Sequence, residues 1–125
     1  MTMQGGSGGR SSLMIRNDGG VTVVEFMNVR MLDDTNIKLM EVELKALVDK
    51  TLDLRFIVDF TNIQYMSSIV LGKIMELYKQ ISARKGKLKL CGIDPKIMEV
   101  FKIMKLDKVL EIHKDFKSAF NSYTR

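Results

Sequence analysis

Two adjacent serines, Ser67 and Ser68, follow an apolar strand, Phe56-Ile57-Val58-Asp59-Phe60, and a short turn from Thr61 to Met66, and they open the long apolar-periodic run Ser68-Ile69-Val70-Leu71-Gly72-Lys73. A serine at a helix start sits beside backbone N–H groups that have no intrahelical partner and beside the positive end of the helix dipole. Either hydroxyl could be a plain N-cap, the commonest task of serine there. Either could also carry a phosphate, which a helix N-terminus tolerates while the exposed surface gains new negative charge. That combination suits a switch better than a catalyst.

Catalytic alternatives find little support. His113 is the single histidine and Cys91 the single cysteine. The usual structural zinc sets are therefore excluded, and no intramolecular disulfide can form. A Cys–His nucleophile would need Cys91 beside His113, and no third group that would orient the base is evident. A serine hydrolase would have only His113 as its base, and Gly-x-Ser-x-Gly is missing around Ser67 and Ser68. No Walker or dinucleotide motif is present, so no cofactor is expected. Asp59 ends its strand close to where open α/β sheets bind ligands. It reads either as a contact to a nucleotide or partner or, the favoured reading, as a cap for the turn at Thr61 and Asn62.

The elements that must hold these residues follow from size and periodicity. The chain has 125 residues, 46% hydrophobic and 28% charged, which suits one domain around one core. No apolar run approaches the roughly 18–20 residues that span a bilayer, and no secretory signal is evident, so the expected location is the cytoplasm. The net charge is +5, and basic residues are dense from Arg84 onward: Lys85, Lys87, Lys89, Lys96, Lys102, Lys105 and Lys108. Asp94, Glu99, Asp107 and Glu111 interleave with them and no aromatic ladder accompanies them, so a solvated face is expected rather than a nucleic-acid surface. An acidic protein partner is the next reading.

Residues 1–11 have the composition of a flexible Gly/Ser-rich tail, leaving residues 12–125 as the domain. Leu13–Arg16 and Val21–Met27 flank Asn17-Asp18-Gly19-Gly20 and read as a hairpin. Asp33-Asp34-Thr35 starts a helix to about Thr51, with Ile37, Met40, Leu44, Leu47 and Val48 along one stripe and Glu41 four residues before Lys45 on the outer face. A strand over Arg55–Phe60 and a helix from about Ser68 to Arg84 follow, with Gly86 as the C-terminal cap. Leu88–Cys91 is a half-buried strand, and Cys91 is expected to be a passive core residue. Asp94-Pro95 starts a short helix, Val109–Ile112 is a strand, and Asp115 caps a last helix bearing Phe116, Ala119, Phe120 and Tyr123. The order β-β-α-β-α-β-α-β-α argues for an α/β fold with a mixed sheet, parallel in its later strands.

Asp59-Phe60-Thr61-Asn62 followed by Met66-Ser67-Ser68-Ile69-Val70-Leu71-Gly72-Lys73 resembles the signature of STAS-domain proteins, the bacterial anti-sigma-factor antagonists. Arg30-Met31-Leu32-Asp33, Gly86 to Ile93, Glu99-Val100-Phe101 and Leu106-Asp107-Lys108-Val109 resemble further segments of that family in the same order. The resemblance implies the STAS fold: a mixed sheet of about five strands with about four helices, packed mainly on one side. It also implies a partner switch in place of an enzyme. The unphosphorylated antagonist binds an anti-sigma factor, itself a serine kinase with a histidine-kinase-like ATPase fold, and the sigma factor is released. The kinase then phosphorylates a serine at the start of the second helix, and a PP2C-type phosphatase resets the pair.

The family's Asp-Ser-Ser-Gly-Leu-Gly motif, anchored on Leu71-Gly72, sets Ser67 at the acidic position, Ser68 at the phosphoacceptor, Ile69 at the second serine and Val70 at the glycine. Anchoring on the serines instead would make Ser67 the acceptor, at the expense of an inserted residue. The implied partner-facing set is Asp33, Asp59, Tyr65, Met66, Ser67, Ser68, Ile69 and Lys73. Neither nucleic acid nor a membrane is an expected partner. The alternative function is a STAS adaptor or scaffold, stressosome-like or transporter-associated, without a phosphorylation switch.

Overall fold

The computed structural model describes residues 13–26 and 34–123; the glycine-rich start, the Arg30–Leu32 segment and Asp33 lie outside the described residues. Strands β1 (Leu13–Asp18) and β2 (Val21–Phe26) form the expected antiparallel hairpin. Gly19 and Gly20 take φ of +58° and +89°, values that a two-residue turn between twisted strands requires, and Asn17 Oδ1 accepts the Gly20 N–H at 3.1 Å. The chain continues through α1 (Asp34–Lys50), β3 (Arg55–Asp59), α2 (Ser68–Ala83), β4 (Lys87–Cys91), α3 (Pro95–Ile103), a 3-10 turn (Leu106–Lys108), β5 (Glu111–His113) and α4 (Phe116–Tyr123).

The five strands lie in sequence order in one sheet, and every pair after the hairpin is parallel. This is the mixed α/β sheet expected. Its alternation sends Val24, Phe26, Phe56, Val58, Leu88 and Leu90 to one face, where the stripes of α1, α2 and α3 cover them. Phe26 and Phe60 pack there as a tilted pair with ring centroids 5.2 Å apart. Each such buried side chain contributes on the order of 1.5–3 kcal/mol. Val21, Val23, Ile57 and Cys91 point to the other face, where, among the described residues, α4 covers them through Ala119, Phe116, Phe120 and Tyr123. The Tyr123 hydroxyl lies 2.9 Å from both the Phe56 and Lys87 carbonyl oxygens, fixing α4 to the sheet.

Three expectations need correction. Gly86 does not hold the left-handed position after α2: Lys85 does, at φ +63°, while the Gly86 N–H reaches back to the Ile81 carbonyl at 2.8 Å. Glycine is needed at 86 for another reason, since a Cβ there would lie 2.4 Å from Leu54 Cβ and 2.7 Å from the Leu54 carbonyl oxygen. The last strand starts at Glu111 rather than Val109, because the chain first closes a helical turn in which the Leu110 N–H meets the Leu106 carbonyl at 2.8 Å. Lys89 is not on a solvated face. Only 5% of it is exposed, since α4 lies over its strand.

Candidate functional site

The loop from β3 to α2 is held from both sides before it reaches the serines. Asp59 Oδ1 accepts the Thr61 N–H at 2.9 Å and also the Thr61 hydroxyl, so its buried carboxylate caps the turn, as the favoured reading had it. Gly92, at φ +70°, passes close by; a Cβ on it would lie 2.4 Å from Thr61 Oγ1 and 2.8 Å from Asp59 Oδ1. Asn62 Nδ2 donates to the Phe26 carbonyl at 3.3 Å, tying the loop to the end of β2. Ile63 is buried and acts as the loop's apolar anchor.

Helix α2 then begins with Ser67 as its N-cap, in extended backbone at φ −82°, ψ 164°. Its hydroxyl oxygen accepts the Val70 N–H at 3.4 Å. Ser68, the first helical residue, is exposed. The cap reading, which the sequence left open for both serines, falls on Ser67, and Ser68 is exposed.

Tyr65 and Ile69 flank the serines and are 67% and 53% exposed, so the start of α2 presents a partly apolar surface. Met66 is half-buried and packs against the main core. Lys73 lies one turn further along α2. Its ammonium donates to Glu41 Oε2 of α1 at 2.8 Å, which holds the Glu41 carboxyl below its ordinary value and raises the lysine above its own. Glu41 thereby pairs across two helices, a partnership that i, i+4 spacing along α1 could not reveal. The structure thus brings Tyr65, Ser67, Ser68 and Ile69 together, with Met66 beneath them, and commits Asp59 and Lys73 to internal partners.

Cys91 and His113 are register partners on adjoining strands. They do not form a nucleophilic pair. Burial, followed by the Asp59 carboxylate, pushes the Cys91 thiol up to about 12, and His113 Nε2 sits 2.7 Å from Glu111 Oε2. Among the described residues no group of three His, Cys, Asp or Glu side chains could hold a metal ion, and no helix is long and apolar enough to cross a membrane.

The model of the STAS domain matches residues 12–119. A Bordetella bronchiseptica protein named "Putative anti-sigma factor antagonist BtrV" is 34% identical over 73 residues, 58% of this chain. The matched stretch spans 62% of that relative, less than two thirds of its length. Among solved structures, an anti-sigma-factor antagonist (STAS) domain protein from Planctomyces limnophilus superposes with a TM-score of 0.82 at 19% identity, over 90% of this chain and 98% of that one. The Bacillus cell fate determinant SpoIIAA in its phosphorylated form gives a TM-score of 0.70 at 14% identity, over 90% and 99%. At such identities these structures establish the fold.

Proposed function

This chain belongs to the STAS domain family, and from that membership and the exposed Ser68 hydroxyl we propose that it is an anti-sigma-factor antagonist, acting in the cytoplasm by binding rather than by catalysis. Its partner is an anti-sigma factor that is itself a serine kinase with a histidine-kinase-like ATPase fold. The surface around Tyr65, Ser68 and Ile69 docks on that kinase. Phosphorylation of Ser68 ends the contact, and a PP2C-type phosphatase restores it. The Bordetella relative's name supports the antagonist reading, and the phosphorylated form of the Bacillus neighbour supports a phosphate-driven switch.

One observation carries the reading. Of the two serines that open α2, Ser67 is engaged in capping and Ser68 is exposed as the first helical residue. A phosphoryl group on Ser68 would bring about 1.5 to 2 negative charges at neutral pH, beside backbone N–H groups that accommodate them within the monomer. Against a partner built for a neutral hydroxyl and flanking apolar side chains, the same charge would have to be desolvated without compensation, which opposes binding. No change of fold is needed.

The test is to recover the protein from its native cells and map phosphate by peptide mass spectrometry, with its companions identified. Phosphate on Ser68 in part of the population, together with a histidine-kinase-like ATPase among the companions, is the expected result. An unmodified Ser67-Ser68 peptide with a stable partner of another fold would replace the switch with a STAS adaptor.

A further inference from the structure

At the end of the parallel strands opposite Ser68, the segments leading into β3 and β4 and the last turn of α4 enclose a cleft of about 520 Å³. Five cations line it: Arg55, Arg84, Lys85, Lys87 and Lys89, against the single acid Asp53. Two of the five are already matched. Arg55 Nη2 lies 2.6 Å from Asp53 Oδ2, and Lys89 Nζ lies 3.1 Å from Glu111 Oε2 and over the Tyr123 ring at 4.1 Å. Arg84, Lys85 and Lys87 have no acidic partner among the described residues. Arg84 directs two nitrogens at the Val48 and Thr51 carbonyls, at 2.6 and 3.3 Å, and so is fixed in place with further N–H donors free.

Cations at a helix C-terminus complement its dipole, which accounts for Arg84 and Lys85. It does not account for Lys87 on β4, which brings unpaired positive charge to the same cleft from the sheet, beside the matched Arg55 and Lys89. Nor does it explain why the left-handed position carries Lys85, where glycine is the unstrained choice. We propose that this cleft binds a small anion bearing at least one phosphoryl group. Several acceptor oxygens on a multiply charged centre suit a cleft lined by Arg84, Lys85 and Lys87, three cations without an acidic partner among the described residues. The volume admits either a free inorganic phosphate or the phosphoryl end of a small metabolite. The proposal stands independently of the Ser68 switch, and the two sites can be occupied together.

The experiment titrates the full chain, labelled with ¹⁵N, with inorganic phosphate and separately with ribose 5-phosphate, following the amides of Lys85, Gly86, Lys87 and Tyr123. Saturable shifts confined to these residues are expected with at least one probe, and the tighter probe identifies the inorganic or the organic source. Lys87→Gln should weaken binding about tenfold. Lys85→Gly should do the same while raising the melting temperature, because it removes a charge and relieves the backbone together. A purely structural role for Lys85 would give the higher melting temperature with unchanged binding. Ser68→Asp should leave the titration unaltered. Non-saturating shifts spread over all the surface lysines with both probes, or affinity unchanged in both lysine variants, would overturn the proposal.

Discussion

At the C-terminal ends of β3 and β4 the surface around Ser68 offers a hydroxyl between two exposed apolar side chains, Tyr65 and Ile69, while the charged groups nearby, Asp59 and Lys73, are already engaged inside the domain. At the N-terminal ends of the same strands, Arg84, Lys85 and Lys87 stand around a cleft without acidic partners. On the two proposals made above, a phosphoryl group would have opposite meanings at the two ends: added to Ser68 it would oppose a neutral contact, whereas brought to the cleft it would meet cationic donors. One sheet can keep the two apart because the residues between them are core: Phe56, Ile57 and Val58 in β3, and Leu88 and Leu90 in β4, are all buried.

The left-handed positions at the two ends, Gly92 and Lys85, give the strongest way to break the comparison. Gly92→Ala combines a positive φ with a Cβ 2.4 Å from Thr61 Oγ1 and 2.8 Å from Asp59 Oδ1. It should cost about 2 to 4 kcal/mol in urea unfolding, and the shifted loop should weaken partner binding as well. The opposite end predicts a gain. Lys85→Gly should stabilise the fold by about 0.5 to 1 kcal/mol, since its φ of +63° is strained for a side-chain-bearing residue. Similar losses from both substitutions would show that the two ends do not differ in the way described.

Smaller effects sharpen the assignment of the serines. Ser67→Ala removes the N-cap and should cost about 0.5 to 1 kcal/mol, near the low end because the bond to the Val70 N–H is 3.4 Å long. Ser68→Ala should leave the melting temperature nearly unchanged. A larger loss from Ser68 than from Ser67 would exchange the roles of the two residues.

The smallest effect is in acid. The hydrogen bond from Lys73 holds Glu41 below its ordinary 4.5, and the Ser118 N–H, then its hydroxyl, hold Asp115 below 3.8. A carboxyl lowered in the folded chain contributes stability that is complete above the unfolded value and is lost as pH falls through the folded one. The melting temperature should therefore drop below about pH 4.5, and Lys73→Met should make the fall shallower.

Much of this was legible in the sequence because the signals were local. The hairpin turn, the Asp94-Pro95 helix start and the Asp115 cap are short-range chemistry, and each is where the residues indicated: Asp94 Oδ1 accepts the Lys96 N–H at 2.9 Å, and Asp115 Oδ1 the Ser118 N–H at 2.8 Å. The serine pair and its turn were legible for the same reason. What escaped was set by packing between distant segments. Arg-Lys-Gly after α2 suggests a glycine cap, yet Leu54, more than thirty residues earlier, decides that residue 86 can carry no Cβ. Lys89 alternates with apolar neighbours as a solvated residue would, until α4 lies over it and Ser122 and Glu111 take its ammonium. The cationic cleft escaped for that reason too, since its residues come from separate turns of the chain.

The most direct measurement is calorimetric titration of the proposed partner, an anti-sigma factor with a histidine-kinase-like ATPase fold, with the wild-type chain, Ser68→Ala and Ser68→Asp. The account predicts that Ser68→Ala binds within a few-fold of wild type while Ser68→Asp, carrying an uncompensated charge into the contact, loses about two orders of magnitude or about 3 kcal/mol. Equal affinity of the two variants, with both folded by circular dichroism, would contradict it.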